Sequence, residues 1–136
     1  NAKTILHECI HAYLFVKAGN PNVGVDFVKI LNTMYPTANE QHDFMYNQMI
    51  PIMMKVLAEI RDLVTYPAGR IEVEGLNMSG NSTTNIPWNW NEYYKFLSFS
   101  GLDEAYCFIQ DYPNPSSQLD FLIRYVTRGH TWLDKK

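Results

Sequence analysis

The sequence predicts one mainly α-helical domain over residues 1–136, of the α+β type with few short strands. Three observations predict this class. Apolar residues recur with the 3.6-residue period of a helix from Phe44 to Val64. Strand-like alternation is confined to the short stretch 70–74. With 136 residues, of which 46% are hydrophobic and 14% aromatic, the chain can bury one sizeable core.

Two helices are predicted in the first quarter of the chain. A helix over Ala2–Ala18 should stop at Gly19-Asn20-Pro21, because the glycine suits a left-handed cap and the proline cannot continue a helix. A loop to Gly24 follows. A short helix over Phe27–Met34 then has Asp26 as its N-cap.

A long helix is predicted next. Thr37-Ala38-Asn39-Glu40 has the form of a capping box, in which the hydroxyl and the carboxylate each cover one unpaired amide. The apolar period then runs to about Thr65, with a kink expected at Pro51. We expect this helix to be the main packing partner of the helix over Ala2–Ala18.

The second half should be less regular. From Tyr66 to Pro87 the composition shifts to Gly, Asn, Ser and Thr, which predicts an irregular connection with a short strand at Arg70–Glu74. Three short helices should follow, each ended by a nearby glycine or proline: Asn91–Ser100, Asp103–Tyr112 and Ser117–Arg128.

Charge and hydropathy restrict the partners. The net charge is −3 and the eleven Lys and Arg residues are scattered, so we expect no nucleic-acid partner. No apolar run is long enough to cross a bilayer, so we expect no membrane segment in this chain. Because the chain starts with Asn1 and a helix, we expect it to be the C-terminal part of a longer protein, either cytoplasmic or secreted. The oligomeric state is left open.

The stretch Thr4–Tyr13 carries the most specific chemistry, the pattern His-Glu-x-x-His formed by His7, Glu8 and His11. Histidines four apart on a helix lie about 40° apart around its axis, so both can bind one metal ion. Every other position from Ile5 to Val16 is apolar or aromatic, which predicts a buried helix. A zinc site with Glu8 as general base explains the buried polar groups, whereas the alternative is a core helix whose polar groups are satisfied by neighbours.

A catalytic zinc usually takes three protein ligands and a water, so a third ligand is needed. Lys17 and Leu14 occupy the histidine and glycine positions of the extended metzincin pattern, which excludes that class. His42 is the favoured ligand, because its spacing from Met45 and Met49 places it along the buried stripe of the long helix. The alternatives are four acidic residues and one histidine: Glu40, Asp43, Asp103, Glu104 and His130.

Other residues could assist the predicted zinc site. Asp43 fits either a hydrogen-bond partner of a ligating imidazole or a contact with a helix dipole. A second donor to the oxyanion is expected, and the candidates are aromatic hydroxyls and one histidine: Tyr13, Tyr46, Tyr93 and His130.

The stretch Thr4–Tyr13, followed by 41–45 (Gln-His-Asp-Phe-Met), 93–95 (Tyr-Tyr-Lys) and 100–102 (Ser-Gly-Leu), resembles bacterial SprT-like zinc metallopeptidase domains. The resemblance implies that His7, His11 and His42 bind zinc and that Glu8 is the general base. It also implies a small α+β, zincin-like helical domain whose motif helix packs on the long helix and whose strands lie largely upstream of Asn1. The DNA-binding parts of the eukaryotic relatives are missing from this sequence, so repair of DNA–protein crosslinks is not expected.

The sequence therefore predicts a zinc-dependent metallopeptidase, a hydrolase that uses Zn²⁺ and a metal-activated water to cleave a peptide or protein substrate. One alternative is a non-catalytic, metal-stabilised interaction module of a larger bacterial protein. A second alternative, within the enzymes, is hydrolysis of a non-peptide amide.

Overall fold

A computed structural model describes residues 38–103 and 105–134 of the chain. The helices predicted at Ala2–Ala18 and Phe27–Met34 lie outside these residues. The described part is built of helices, and the mainly α class is confirmed for it. No strand occurs in these residues, where one isolated antiparallel bridge joins Asn77 to Pro87.

The predicted long helix is present as one continuous helical segment. Helix α1 (Ala38–Phe44) passes into a π-helical turn (Met45–Met49) and then into α2 (Ile50–Val64). The irregularity expected at Pro51 falls in the turn directly before it. A proline lacks the amide proton and its ring crowds the carbonyl four residues earlier. The wider π turn accommodates this loss, and Pro51 lies in the first turn of α2.

Four further helices complete the described residues: α3 (Pro67–Glu74), α4 (Trp90–Ser98), α5 (Tyr106–Asp111) and α6 (Ser117–Leu133). Helix α2 packs on α4, both α3 and α4 pack on α6, and α1 packs on α5. Among the described helices, none has the length and the apolar run that crossing a membrane requires.

The prediction of a strand at Arg70–Glu74 is wrong, because these residues belong to α3. Pro67 stands in the first turn, where its missing amide costs nothing and its fixed φ suits a helix. Gly69 and Val73, one turn apart, are both buried, and Gly69 lies against the backbone of Trp132 in α6. This contact between helices overrides the local alternation that favours a strand.

The ends of the last two helices also differ from the prediction. Helix α6 does not stop at Arg128 but continues to Leu133. Gly129 is a packing residue rather than a cap, since an added Cβ would overlap the ring of Tyr93 in α4. Helix α5 begins at Tyr106, three residues later than predicted.

An aromatic cluster forms the centre of the core, and Tyr125 of α6 is fully buried within it. The ring centroid of Tyr125 lies 4.8 Å from that of Trp88 and 5.4 Å from that of Phe96. The Tyr125 hydroxyl also accepts a hydrogen bond of 3.0 Å from the amide of Asn89, the N-cap of α4. One side chain of α6 therefore contacts both the rings and the N-terminus of α4.

The connection between α3 and α4 is irregular, as predicted, and is tied to α6. Arg128 donates to the carbonyl of Asn77 at 2.6 Å, and Arg124 donates to the carbonyl of Met78 at 3.0 Å. The Asn77 side chain organises the rest of the connection through hydrogen bonds to four backbone groups, on Ser79, Asn81, Thr84 and Ile86.

The contact of α3 with α6 can be tested with two glycines. Gly69→Ala should lower the free energy of unfolding by about 1–3 kcal/mol. The reason is that its Cβ would overlap the carbonyl oxygen of Trp132, a backbone atom that cannot rotate away. Urea denaturation followed by circular dichroism measures the change.

Gly75→Ala is the matched control at the end of the same helix. Its Cβ would lie 3.5 Å from the carbonyl oxygen of Glu72, an ordinary contact, so stability should change by no more than about 0.5 kcal/mol. Equal stability of the two alanine variants would contradict the close packing of α3 on α6.

Candidate functional site

The structure describes one of the four residues assigned to the zinc site. His7, Glu8 and His11 lie outside the described residues, and so do Glu104 and Tyr13 among the alternatives. The candidates that are described lie on or beside four helices: Glu40, His42, Asp43 and Tyr46 around α1, Tyr93 in α4, Asp103 before α5, and His130 in α6.

His42 lies in α1 and is half-buried. Three and seven residues further on, Met45 and Met49 are buried in the core. The stripe along which His42 was expected to lie is therefore present as a buried face of the segment. Glu40, two residues earlier, is exposed.

Asp43, next to His42, holds α1 against α5. Its Oδ1 atom accepts a hydrogen bond of 3.1 Å from the amide of Cys107, in the first turn of α5. Asn47 adds a second link, because its side-chain nitrogen donates to the Asp43 carbonyl at 2.9 Å and lies 3.3 Å from the Cys107 sulfur. The sequence allowed two roles for Asp43, and the observed hydrogen bond corresponds to the contact with a helix terminus. The terminus is that of α5 rather than that of α1.

Two other candidate ligands, Asp103 and His130, are more exposed to solvent than His42. Asp103 is exposed, and His130 is an exposed residue whose Nδ1 lies 2.6 Å from Oδ2 of Asp134. No group of three potential metal ligands comes together within 38–103 and 105–134. A complete site of the predicted kind would combine His42 with residues outside that range.

Two of the oxyanion candidates are tyrosines, of which Tyr46 is half-buried and Tyr93 is buried. The Tyr46 hydroxyl donates to Oδ2 of Asp111 at 2.6 Å. Burial, followed by the bond to Asp111 and its negative charge, raises the pKa of Tyr46 well above its ordinary value. Burial likewise raises the pKa of Tyr93, whose ring packs on Gly129. Both hydroxyls are protonated near neutral pH, and that of Tyr46 already donates to a carboxylate.

A groove that the sequence analysis did not identify opens between α4, α5 and α6, and is called the aromatic groove below. Its volume is about 250 Å³. The turn after α4 shapes one end of it, and Gly101 in this turn has a positive φ of 84° that favours glycine. The lining consists mainly of apolar side chains: Phe96, Leu97, Phe99, Phe108, Leu122 and Val126, with Ser100, Gly101 and Asp103. The Ser100-Gly101 dipeptide signals the turn in the sequence, but not the groove beside it.

No family model, no curated protein and no solved structure matches this chain. The resemblance to SprT-like domains therefore stays a prediction. It rests on the stretch Thr4–Tyr13 and on the segments 41–45, 93–95 and 100–102. Of these, the described segments lie in α1 and the π turn, in α4, and in the turn after α4.

The role of Asp43 can be tested by removing or keeping its acceptor. Asp43→Ala should lower the free energy of unfolding by about 0.5–2 kcal/mol, because the first turn of α5 loses its cap. Asp43→Asn keeps an oxygen acceptor and should retain most of that stability. Zinc content should be the same in Asp43→Asn and in the wild type, and a loss of zinc there would show that Asp43 acts at the metal, as a ligand or as the partner of a ligating imidazole.

The raised pKa of Tyr46 predicts a loss of stability in alkali. Above pH 10 an unfolded tyrosine releases its proton while the folded Tyr46 keeps it, so the folded state binds more protons and stability falls as pH rises. Urea denaturation at pH 8 and at pH 10.5 measures this fall. It should be smaller in Tyr46→Phe and unchanged in Tyr66→Phe, which alters an exposed ring. An unchanged fall in Tyr46→Phe would contradict the prediction.

Proposed function

We propose that this chain is a zinc-dependent metallopeptidase that hydrolyses peptide bonds in a peptide or protein substrate. His7, His11 and His42 hold the zinc, and Glu8 is the general base. The observation that carries the proposal is the His-Glu-x-x-His pattern set in an otherwise apolar stretch from Ile5 to Val16.

The donor set fits zinc. Neutral imidazole is a common zinc ligand, and three histidines leave a fourth position open for water and substrate. His42 is half-buried, as a ligand on a packed helix should be, and the links from Asp43 and Asn47 to Cys107 hold its helix against α5. A fixed backbone lowers the cost of placing an imidazole at a metal.

When bound, zinc polarises the scissile carbonyl and brings the pKa of the attacking water to about 7. Glu8 accepts the proton of that water and directs its attack on the carbonyl carbon. The same carboxyl then returns the proton to the leaving amine. An uncharged side chain at residue 8 can do neither step.

The zincin-like arrangement belongs to the same proposal: the helix that carries the motif packs on the segment formed by α1 and α2. An apolar helix needs a buried partner face, and the stripe of Met45 and Met49 provides one at the level of His42.

The general-base role predicts the behaviour of Glu8→Gln. This variant should keep its fold and its zinc, because Glu8 is not a ligand, and should lose at least about a hundredfold in turnover. Hydrolysis of a mixture of quenched-fluorescence peptides by the zinc-loaded chain measures turnover, and elemental analysis of the same samples measures zinc.

Glu59→Gln, an exposed glutamate of α2, is the matched control and should retain full activity. Equal activity of Glu8→Gln and the wild type would remove this mechanism. A wild type that binds zinc but hydrolyses no peptide would favour the non-catalytic interaction module or a non-peptide amide as substrate.

A further inference from the structure

We propose that the aromatic groove is a specificity subsite that binds one large apolar side chain of a substrate peptide, next to a basic residue of that peptide. This inference rests on the proposed peptidase function and names the class of its substrate. Three observations support it: the shape and lining of the groove, its connection to His42, and its charge.

The lining of the groove suits an aromatic or long aliphatic side chain. Phe96, Phe99 and Phe108 are almost completely buried and present ring surface to a space of about 250 Å³. Rings in such a setting prefer edge-to-face or offset contacts with an incoming ring. A single large apolar side chain fills a space of this size, while a whole helix does not.

One residue, Tyr46, links the groove to the proposed zinc ligand His42. Tyr46 follows His42 by four residues, about 6 Å along the helix axis and on the same face. The ring of Tyr46 stacks on Phe99 at 5.1 Å and meets the edge of Phe108 at 6.3 Å, measured between centroids. Both phenylalanines line the groove. A peptide with one side chain in the groove would therefore have its backbone within a few residues of the metal.

The charge of the groove selects the neighbouring residue of the peptide. Among the described residues of the lining, Asp103 is the one that carries a charge, and it is exposed. It makes no ion pair with another described residue. The whole chain carries a net charge of −3. A lysine or arginine beside the apolar residue complements this end, whereas a glutamate there is repelled.

Binding of three labelled peptides to the zinc-loaded Glu8→Gln chain tests the inference without turnover. The peptides are identical except for a central Phe-Lys, Ala-Lys or Phe-Glu pair, and fluorescence polarisation measures their affinities. Phe-Lys should bind about ten- to a hundredfold more tightly than Ala-Lys, since the groove buries the ring. It should bind up to about fivefold more tightly than Phe-Glu, and that difference should vanish at high salt.

Variants of the groove separate it from other surfaces. Val126→Trp places a large side chain in the groove and should abolish the preference for Phe-Lys over Ala-Lys. Val64→Trp makes the same change at a half-exposed valine of α2 outside the groove and should leave the preference intact. Asp103→Asn should remove only the preference for lysine over glutamate. Circular dichroism of each variant checks its fold.

The outcomes distinguish this inference from the peptidase proposal. Equal affinities for Phe-Lys and Ala-Lys in the parent chain overturn the subsite, even if the wild type hydrolyses peptides. A preference for phenylalanine that survives in folded Val126→Trp also overturns it. If Val126→Trp loses the preference and the wild type shows no hydrolytic activity, the groove is supported as a peptide-binding site. Only the peptidase proposal is then contradicted.

Discussion

The described fold depends on the burial of Tyr125 where α6 packs on α4. Its ring is enclosed by Trp88, Phe96 and Phe121, and its hydroxyl accepts the amide of Asn89 at the start of α4. A buried tyrosine that is both packed and hydrogen-bonded fixes the rotation of α6 as well as its distance from α4. The remaining contacts of α6, with α3 and with the connection before α4, follow from this placement.

The same packing extends to the helix that carries His42. The residues that follow α4 turn back at Gly101 and lead into α5, whose first turn is held by Asp43. The aromatic groove is the space left between α4, α5 and α6 by this path, and Tyr46 connects it to the helix that carries His42. Tyr46, four residues after the proposed zinc ligand His42, thus contacts two of the phenylalanines that line the groove.

The sequence predicted helices where a long apolar period or a clear end signal was present, as in the segment from α1 to α2. It failed where a contact between distant residues decides the structure. Residues 70–74 are helical because Gly69 packs on α6, and Gly129 continues a helix because it faces Tyr93. Among the candidate residues, the half-buried position of His42 follows from its spacing along the buried stripe. The contact of Asp43 with α5 joins residues 64 positions apart, which local patterns do not reveal.

The zinc content of the purified chain, measured by elemental analysis, tests the central claim most directly. We expect about one zinc per chain in the wild type and in His130→Ala, whose histidine is exposed and paired with Asp134. We expect His42→Ala to lose zinc and stability together, because the metal binds the folded state. Full zinc occupancy in His42→Ala, or none in the wild type after zinc is supplied, would contradict the three-histidine site.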